Sequence, residues 1–167
     1  MANTLDNLKT AFAGESQANR KYLNFADKAD REGYPQIARL FRAAAEAETV
    51  HARNHLEAMD GIKSTKENLE AAVGGEHYEF TSMYPGFIAQ AKTDKDTRAG
   101  TSFYRANEVE KVHHALYQQA LKDLEAGKKG KTEPYYVCPL CGNTFLGEGP
   151  DKCPVCGALK ASFKKIE

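Results

Sequence analysis

Four cysteines stand in the last thirty residues as Cys138-x-x-Cys141 and Cys153-x-x-Cys156, with eleven residues between the pairs. Both pairs read C-P-x-C-G. Two such knuckles predict a tetrahedral four-thiolate metal site rather than disulfides. A structural zinc and a single iron that passes electrons both suit four thiolates, and the knuckles do not separate them. A second constellation is made of acids. Glu15, Glu48, Glu76, Glu79 and Glu110 fall on otherwise apolar helical stripes, and His51 and His113 each follow a glutamate by three residues. That spacing sets Glu and His side by side on one helix face. Burying even one unpaired ionised group costs several kcal/mol. Multivalent metal could neutralise the whole set, with the imidazoles completing the ligand shells. Carboxylate oxygen with imidazole suits iron or manganese, and ligand type does not exclude zinc.

The elements that must position these residues are legible from periodicity. A first helix is predicted from about Thr4 to Arg31, carrying Leu5, Leu8, Phe12, Tyr22, Phe25 and Ala29 on its stripe. "REGYP" breaks it, and Pro35 suits the first turn of a second helix with Ile37, Leu40, Phe41, Ala44, Leu56 and Met59. Gly61 is the expected C-cap. "STKE" at 64–67 reads as a capping box opening a third helix that carries Leu69, Ala72, Val73, Phe80, Met83, Phe87 and Ile88, and that Pro85 should bend. Gly74 and Gly75 each cost about 1 kcal/mol relative to Ala in a helix, so they should mark a bulge or a close helix approach. A fourth helix carries Phe103, Ala106, Tyr117, Leu121 and Leu124. The reading is mainly α: a four-helix bundle over residues 1–127, a Gly- and Lys-rich linker over 128–134, and a small four-cysteine domain over 135–167. That last piece is too short to fold around an apolar core alone, so metal must stabilise it. His55 should lie at the edge of the acid cluster, and His77 and His114 on the exposed side.

Composition narrows the class. Lys+Arg and Asp+Glu balance at 23 each, which gives no basic field for nucleic acid. "MANTLDNLKT" has neither a basic n-region nor an apolar h-region, and no apolar run approaches the roughly 20 residues that span a bilayer. A cytoplasmic protein without membrane or nucleic-acid partners is expected.

One glutamate from each of two helices and E-x-x-H from each of two others is similar to the ferritin-like di-iron carboxylate pattern. Together with the two knuckles, the chain resembles the rubrerythrin family over essentially its full length. The Glu15 helix, "EAETVHARNH", "GEHYEFTSMYP", the Glu110–His113 pair and both C-P-x-C-G knuckles carry the likeness. The resemblance implies a ferritin-like bundle with a rubredoxin-like domain, and reduction of hydrogen peroxide to water in oxidative-stress defence. It implies two irons in the bundle and one among Cys138, Cys141, Cys153 and Cys156, with electrons from a rubredoxin or an NAD(P)H-dependent reductase. By the same likeness Glu48 and Glu110 would bridge the irons, Glu15 and Glu79 would bind one, and Glu76 and His113 the other. His51 would replace Glu79 on reduction, and Tyr22 and Tyr84 would hydrogen-bond ligand carboxylates. A neutral ligand replacing an anionic one as the metal charge falls is physically reasonable. A released Glu79 could then act as general acid.

Assembly also has a sequence argument. In a ferritin-like site the second and third helices run parallel. About eleven residues of each separate its glutamate from the link, a climb of about 33 Å at ~1.5 Å per residue. Four or five linking residues reach at most about 18 Å. A homodimer swapped between helices two and three resolves this. A modified antiparallel bundle is the other solution. Two other functions remain open: a ferroxidase or iron-storage protein, which has no use for an attached electron carrier, and a zinc-ribbon interaction module. No H-E-x-x-H occurs, which disfavours a zinc hydrolase.

Overall fold

The computed structural model describes residues 3–129 and 132–167. The expected linker at 128–134 therefore falls partly on residues 130–131, outside the described residues. The chain divides into two compact units, Met1–Lys63 and Ser64–Glu167.

The first unit is a helical hairpin of α1 (Thr4–Arg31) and α2 (Pro35–Ala58). Asn3 caps α1 by accepting the Asp6 N–H at 2.9 Å. Gly33, at φ +82°, turns the chain, and Tyr34 N–H returns 2.9 Å to the Ala29 carbonyl. Pro35 then opens α2, where its missing N–H costs no helical bond. The seam is made of small residues: Ala26, Ala29, Ala38 and Ala45 are buried, and Phe41 packs on the first three. Asn19 fastens the helices, with Nδ2 donating to the Ala45 carbonyl and to Thr49 Oγ1, both at 2.8 Å. Arg42 pairs with Asp30. Several stripe residues expected in the core are exposed instead, among them Leu5, Phe25, Ile37 and Leu40. Alanines let the two backbones approach closely, so small residues line the seam.

Residues 59–64 join the units. Asp60, not Gly61, takes the left-handed conformation, at φ +52°. Gly61 N–H bonds the Leu56 carbonyl at 2.9 Å. A Cβ on Gly61 would lie 2.4 Å from Leu56 Cδ1 and 3.0 Å from that carbonyl, so close approach is what demands glycine here.

The second unit holds α3 (Thr65–Tyr78), α4 (Tyr84–Thr93) and α5 (Thr97–Glu125). The capping box forms as expected: Glu67 N–H donates to Ser64 Oγ at 3.3 Å, and Ser64 N–H to Glu67 Oε2 at 3.1 Å. The third helix is not simply bent. A π turn, Glu79–Met83, separates α3 from α4, and Tyr84 N–H reaches five residues back to the Glu79 carbonyl. Pro85 accounts for it: it has no N–H for an i→i−4 bond and its ring would strike the carbonyl four residues back, so one extra residue in the turn relieves both. Gly74 and Gly75 lie in regular α-helix, and a Cβ on either would meet nothing within 4 Å. They mark neither a bulge nor a close approach.

The C-terminal part is an antiparallel sheet of order β2-β1-β3, with β1 Tyr135–Val137, β2 Thr144–Leu146 and β3 Lys164–Ile166. Phe145 and Phe163 stack at 5.0 Å beneath the cysteines. Among the described residues no helix is long and apolar enough to cross a membrane.

Candidate metal centres

Each unit gathers two carboxylates and one imidazole. On the hairpin, α1 supplies Glu15 and α2 supplies Glu48 and His51, and one ligand atom of each lies within 4.8 Å of the others. His51 Nδ1 is 2.9 Å from Glu48 Oε2. In the second unit, Glu76 on α3 joins Glu110 and His113 on α5 by the same measure. His113 Nδ1 is 2.8 Å from Glu110 Oε2 and 3.9 Å from Glu76 Oε1. Glu79 stands on the π turn, outside this tightest group. In both pairs the three-residue spacing makes Glu and His neighbours on the helix.

Burial pushes the Glu76 carboxyl up to about 7, reinforced by the Glu110 charge and only partly offset by His113. Burial and Glu110 raise Glu79 too. The hydrogen bond to Glu110 raises His113. Tyr84 is raised by its own burial and by the charges of Glu79, Glu110 and Glu76. Among the described residues it makes no hydrogen bond to them. Tyr22 packs against Phe25 and Phe41, with ring centroids 6.3 and 6.1 Å away, and its hydroxyl makes no hydrogen bond among the described residues. His55 is half-buried and His77 exposed. His114 departs from expectation: it is half-buried, and its Nδ1 donates to the Val73 carbonyl at 3.1 Å.

The four cysteines form a compact cage. All Sγ atoms lie within 4.8 Å of one another, with Cys138–Cys156 and Cys141–Cys153 both at 3.5 Å. A tetrahedral ion with bonds of ~2.3 Å spaces its sulfurs by a similar amount. The two knuckles repeat one hydrogen bond: Gly142 N–H to the Cys138 carbonyl and Gly157 N–H to the Cys153 carbonyl, at 2.9 and 2.8 Å. Burial would raise the Cys153 thiol, but N–H donors from Cys156 and Val155 outweigh it and bring it down to about 7. Burial raises Cys141 and Cys156.

Two neighbouring residues carry no signal in the sequence. Asn143, 2 % exposed, directs Nδ2 at Cys153 Sγ, 3.8 Å away. Thr144 Oγ1 lies 2.9 Å from His113 Nε2. Neither belongs to a metal-ligand spacing, and only the fold brings them to these partners.

The donor chemistry fits iron. Gathered carboxylates suit a multivalent cation, and the oxygen–nitrogen mix suits iron, as do four thiolates.

Residues 6–121 match the family model described as Rubrerythrin, and residues 133–164 the one described as Rubrerythrin, rubredoxin-like domain. The chain is 35% identical to Rubrerythrin-2 of Clostridium acetobutylicum, over 98% of this chain and 96% of that protein. It is 37% identical to nigerythrin of Nitratidesulfovibrio vulgaris, over 98% and 86%. A solved structure of nigerythrin in its fully reduced, all-ferrous state is similar over 99% of this chain and 88% of that one, with 36% identity and a TM-score of 0.59.

Proposed function

This chain belongs to the rubrerythrin family, and from that premise we propose that it is a cytoplasmic di-iron peroxidase that reduces hydrogen peroxide to water. The observation that carries the reading is the repeated donor set, two carboxylates and one imidazole, on each unit, beside a four-thiolate cage. The proposed bundle spans 1–127, the linker 128–134 and the rubredoxin-like domain 135–167. Glu15, Glu48, His51, Glu76, Glu79, Glu110 and His113 hold two irons. Cys138, Cys141, Cys153 and Cys156 would hold one more, which would serve as a one-electron relay for a rubredoxin or an NAD(P)H-dependent reductase.

When bound, the iron pair supplies two electrons and two Lewis-acid positions for the peroxide oxygens. The chain's own groups manage protons and ligand mobility. H₂O₂ takes up two electrons and two protons, the O–O bond breaks, and two waters leave. Glu79, half-buried on the π turn, delivers a proton to a departing oxygen. His51, held beside Glu48 at 2.9 Å, would take the position that Glu79 vacates on reduction.

Energetics supports the proposed dimer. A lone helical hairpin with an alanine seam and exposed Phe25, Ile37 and Leu40 buries too little apolar surface to be stable by itself. Residues 59–64 reach at most about 20 Å. In the proposed swapped homodimer, the hairpin of one chain and the second unit of its partner complete each site.

Two experiments test this. Adding peroxide anaerobically to reduced protein should consume one peroxide per two electrons and restore the visible colour of the ferric thiolate centre. A reduced protein that leaves peroxide untouched contradicts the activity. For the swap, Glu48→Ala and Glu110→Ala chains, inactive alone, are unfolded together and refolded. A swapped dimer rebuilds one intact site per mixed pair and regains turnover, whereas an unswapped protein regains none.

A further inference from the structure

We infer that Thr144 is a positioning residue for His113, through which the C-P-x-C-G knuckle of the four-cysteine domain fixes which ring nitrogen faces the glutamates. The inference rests on the reading of His113 as a metal ligand.

Thr144 Oγ1 lies 3.1 Å from the Gly142 carbonyl oxygen and 2.9 Å from His113 Nε2. A threonine hydroxyl has one proton to give. The Gly142 carbonyl can only accept, so that proton goes there. Oγ1 therefore meets His113 with a lone pair, and Nε2–H donates to it. In the metal-free chain Nδ1 also carries a proton, which it donates to Glu110. When that proton gives way to a metal ion, the hydrogen held by Thr144 stays on Nε2 and Nδ1 presents its lone pair. Nδ1 is the atom 2.8 Å from Glu110 Oε2 and 3.9 Å from Glu76 Oε1. The lone pair suited to a metal is thus aimed at the carboxylates, and the ring is pinned at its other end.

The knuckle supplies the fixed point. Gly142 has φ +84°, its N–H is bonded to the Cys138 carbonyl, and it seats against α5, where a Cβ would lie 3.9 Å from Val109 Cγ1. Its carbonyl direction is set by the same turn that shapes the thiolate cage. His113 and Thr144 border a cavity of about 310 Å³ walled partly by Leu69, Leu116 and Ala120. Without Thr144 the Nε2–H would face this largely apolar space. His51 has no counterpart: among the described residues nothing bonds its Nε2.

The test uses full-length, iron-loaded protein. The affinity of the helical site for ferrous iron is measured against a competing chelator, with the colour of the thiolate centre as internal control. Partners that orient a ligating histidine are worth 10–100-fold in affinity, and the cavity admits water, so Thr144→Val should weaken the helical site by ~10-fold. Thr144→Ser, which keeps the hydroxyl, should restore it. His113→Gln should weaken the site further, and Thr144→Val should add nothing on that background. If His113→Gln weakens binding but Thr144→Val does not, the inference fails alone. If His113→Gln changes nothing, the ligand reading itself fails. An equal loss in the valine and serine variants, or loss of the thiolate colour in Thr144→Val, would mean a merely structural threonine and overturn the inference.

Discussion

The hairpin and the second unit carry the same three donor types, yet they hold their histidines differently. His51 is 53% exposed and, among the described residues, tied only to Glu48. His113 is 28% exposed and engaged at both ring nitrogens, by Glu110 and by Thr144. Identical spacing in the chain therefore yields one imidazole held at a single ring nitrogen and one held at both.

Replacing each ring in turn gives the sharpest test of that difference. His113→Ala should release iron from the helical site and lower peroxide turnover by ~100-fold or more, whereas His51→Ala should keep its iron and lose less turnover. Metal counting beside stopped-flow kinetics reads both, and equal losses would erase the distinction. Glu79→Ala should lower turnover by ~100-fold, the scale of a lost general acid, with the iron count unchanged. Full activity in that variant removes the acid role.

A smaller effect separates the units by pH. In chelated protein the raised Glu76 carboxyl and raised His113 both favour the protonated folded state. The folded chain then binds more protons than the unfolded one, so stability falls as pH rises through about 7. Denaturation midpoints at pH 6 and pH 8 should show this loss, and Glu76→Gln should reduce it. The smallest effect concerns the cage. Asn143→Leu removes a donor aimed at Cys153 and should lower the reduction potential of the thiolate iron, because hydrogen bonds to sulfur favour the more negative, reduced form. An unchanged potential in voltammetry would show that the 3.8 Å contact does not reach the metal.

The chemistry was far more legible than the packing. E-x-x-H at Glu48–His51 and Glu110–His113 depends only on helical period, and C-P-x-C-G only on local turn geometry, so both survive without knowledge of the fold. Pro85 announced an irregularity, but whether a proline bends a helix or widens it into the Glu79–Met83 turn depends on what the neighbouring carbonyls can do. Hydrophobicity ranks Phe25 and Leu40 above Ala26 and Ala38, whereas close helix approach selects the alanines. Gly61 was visible as a glycine at a helix end, but the contact with Leu56 that demands it was not. Thr144 meets His113 only through tertiary structure, and its neighbours in the chain give no hint of it.

The central claim is that the gathered carboxylates exist to hold iron beside an iron-thiolate electron relay. Metal analysis of the purified protein, read together with its visible spectrum, tests this most directly. The account predicts two irons in the helical part, one among the cysteines, and the absorption of ferric thiolate. Colourless protein with zinc in the cage, or full peroxide turnover with the helical part free of metal, would contradict it.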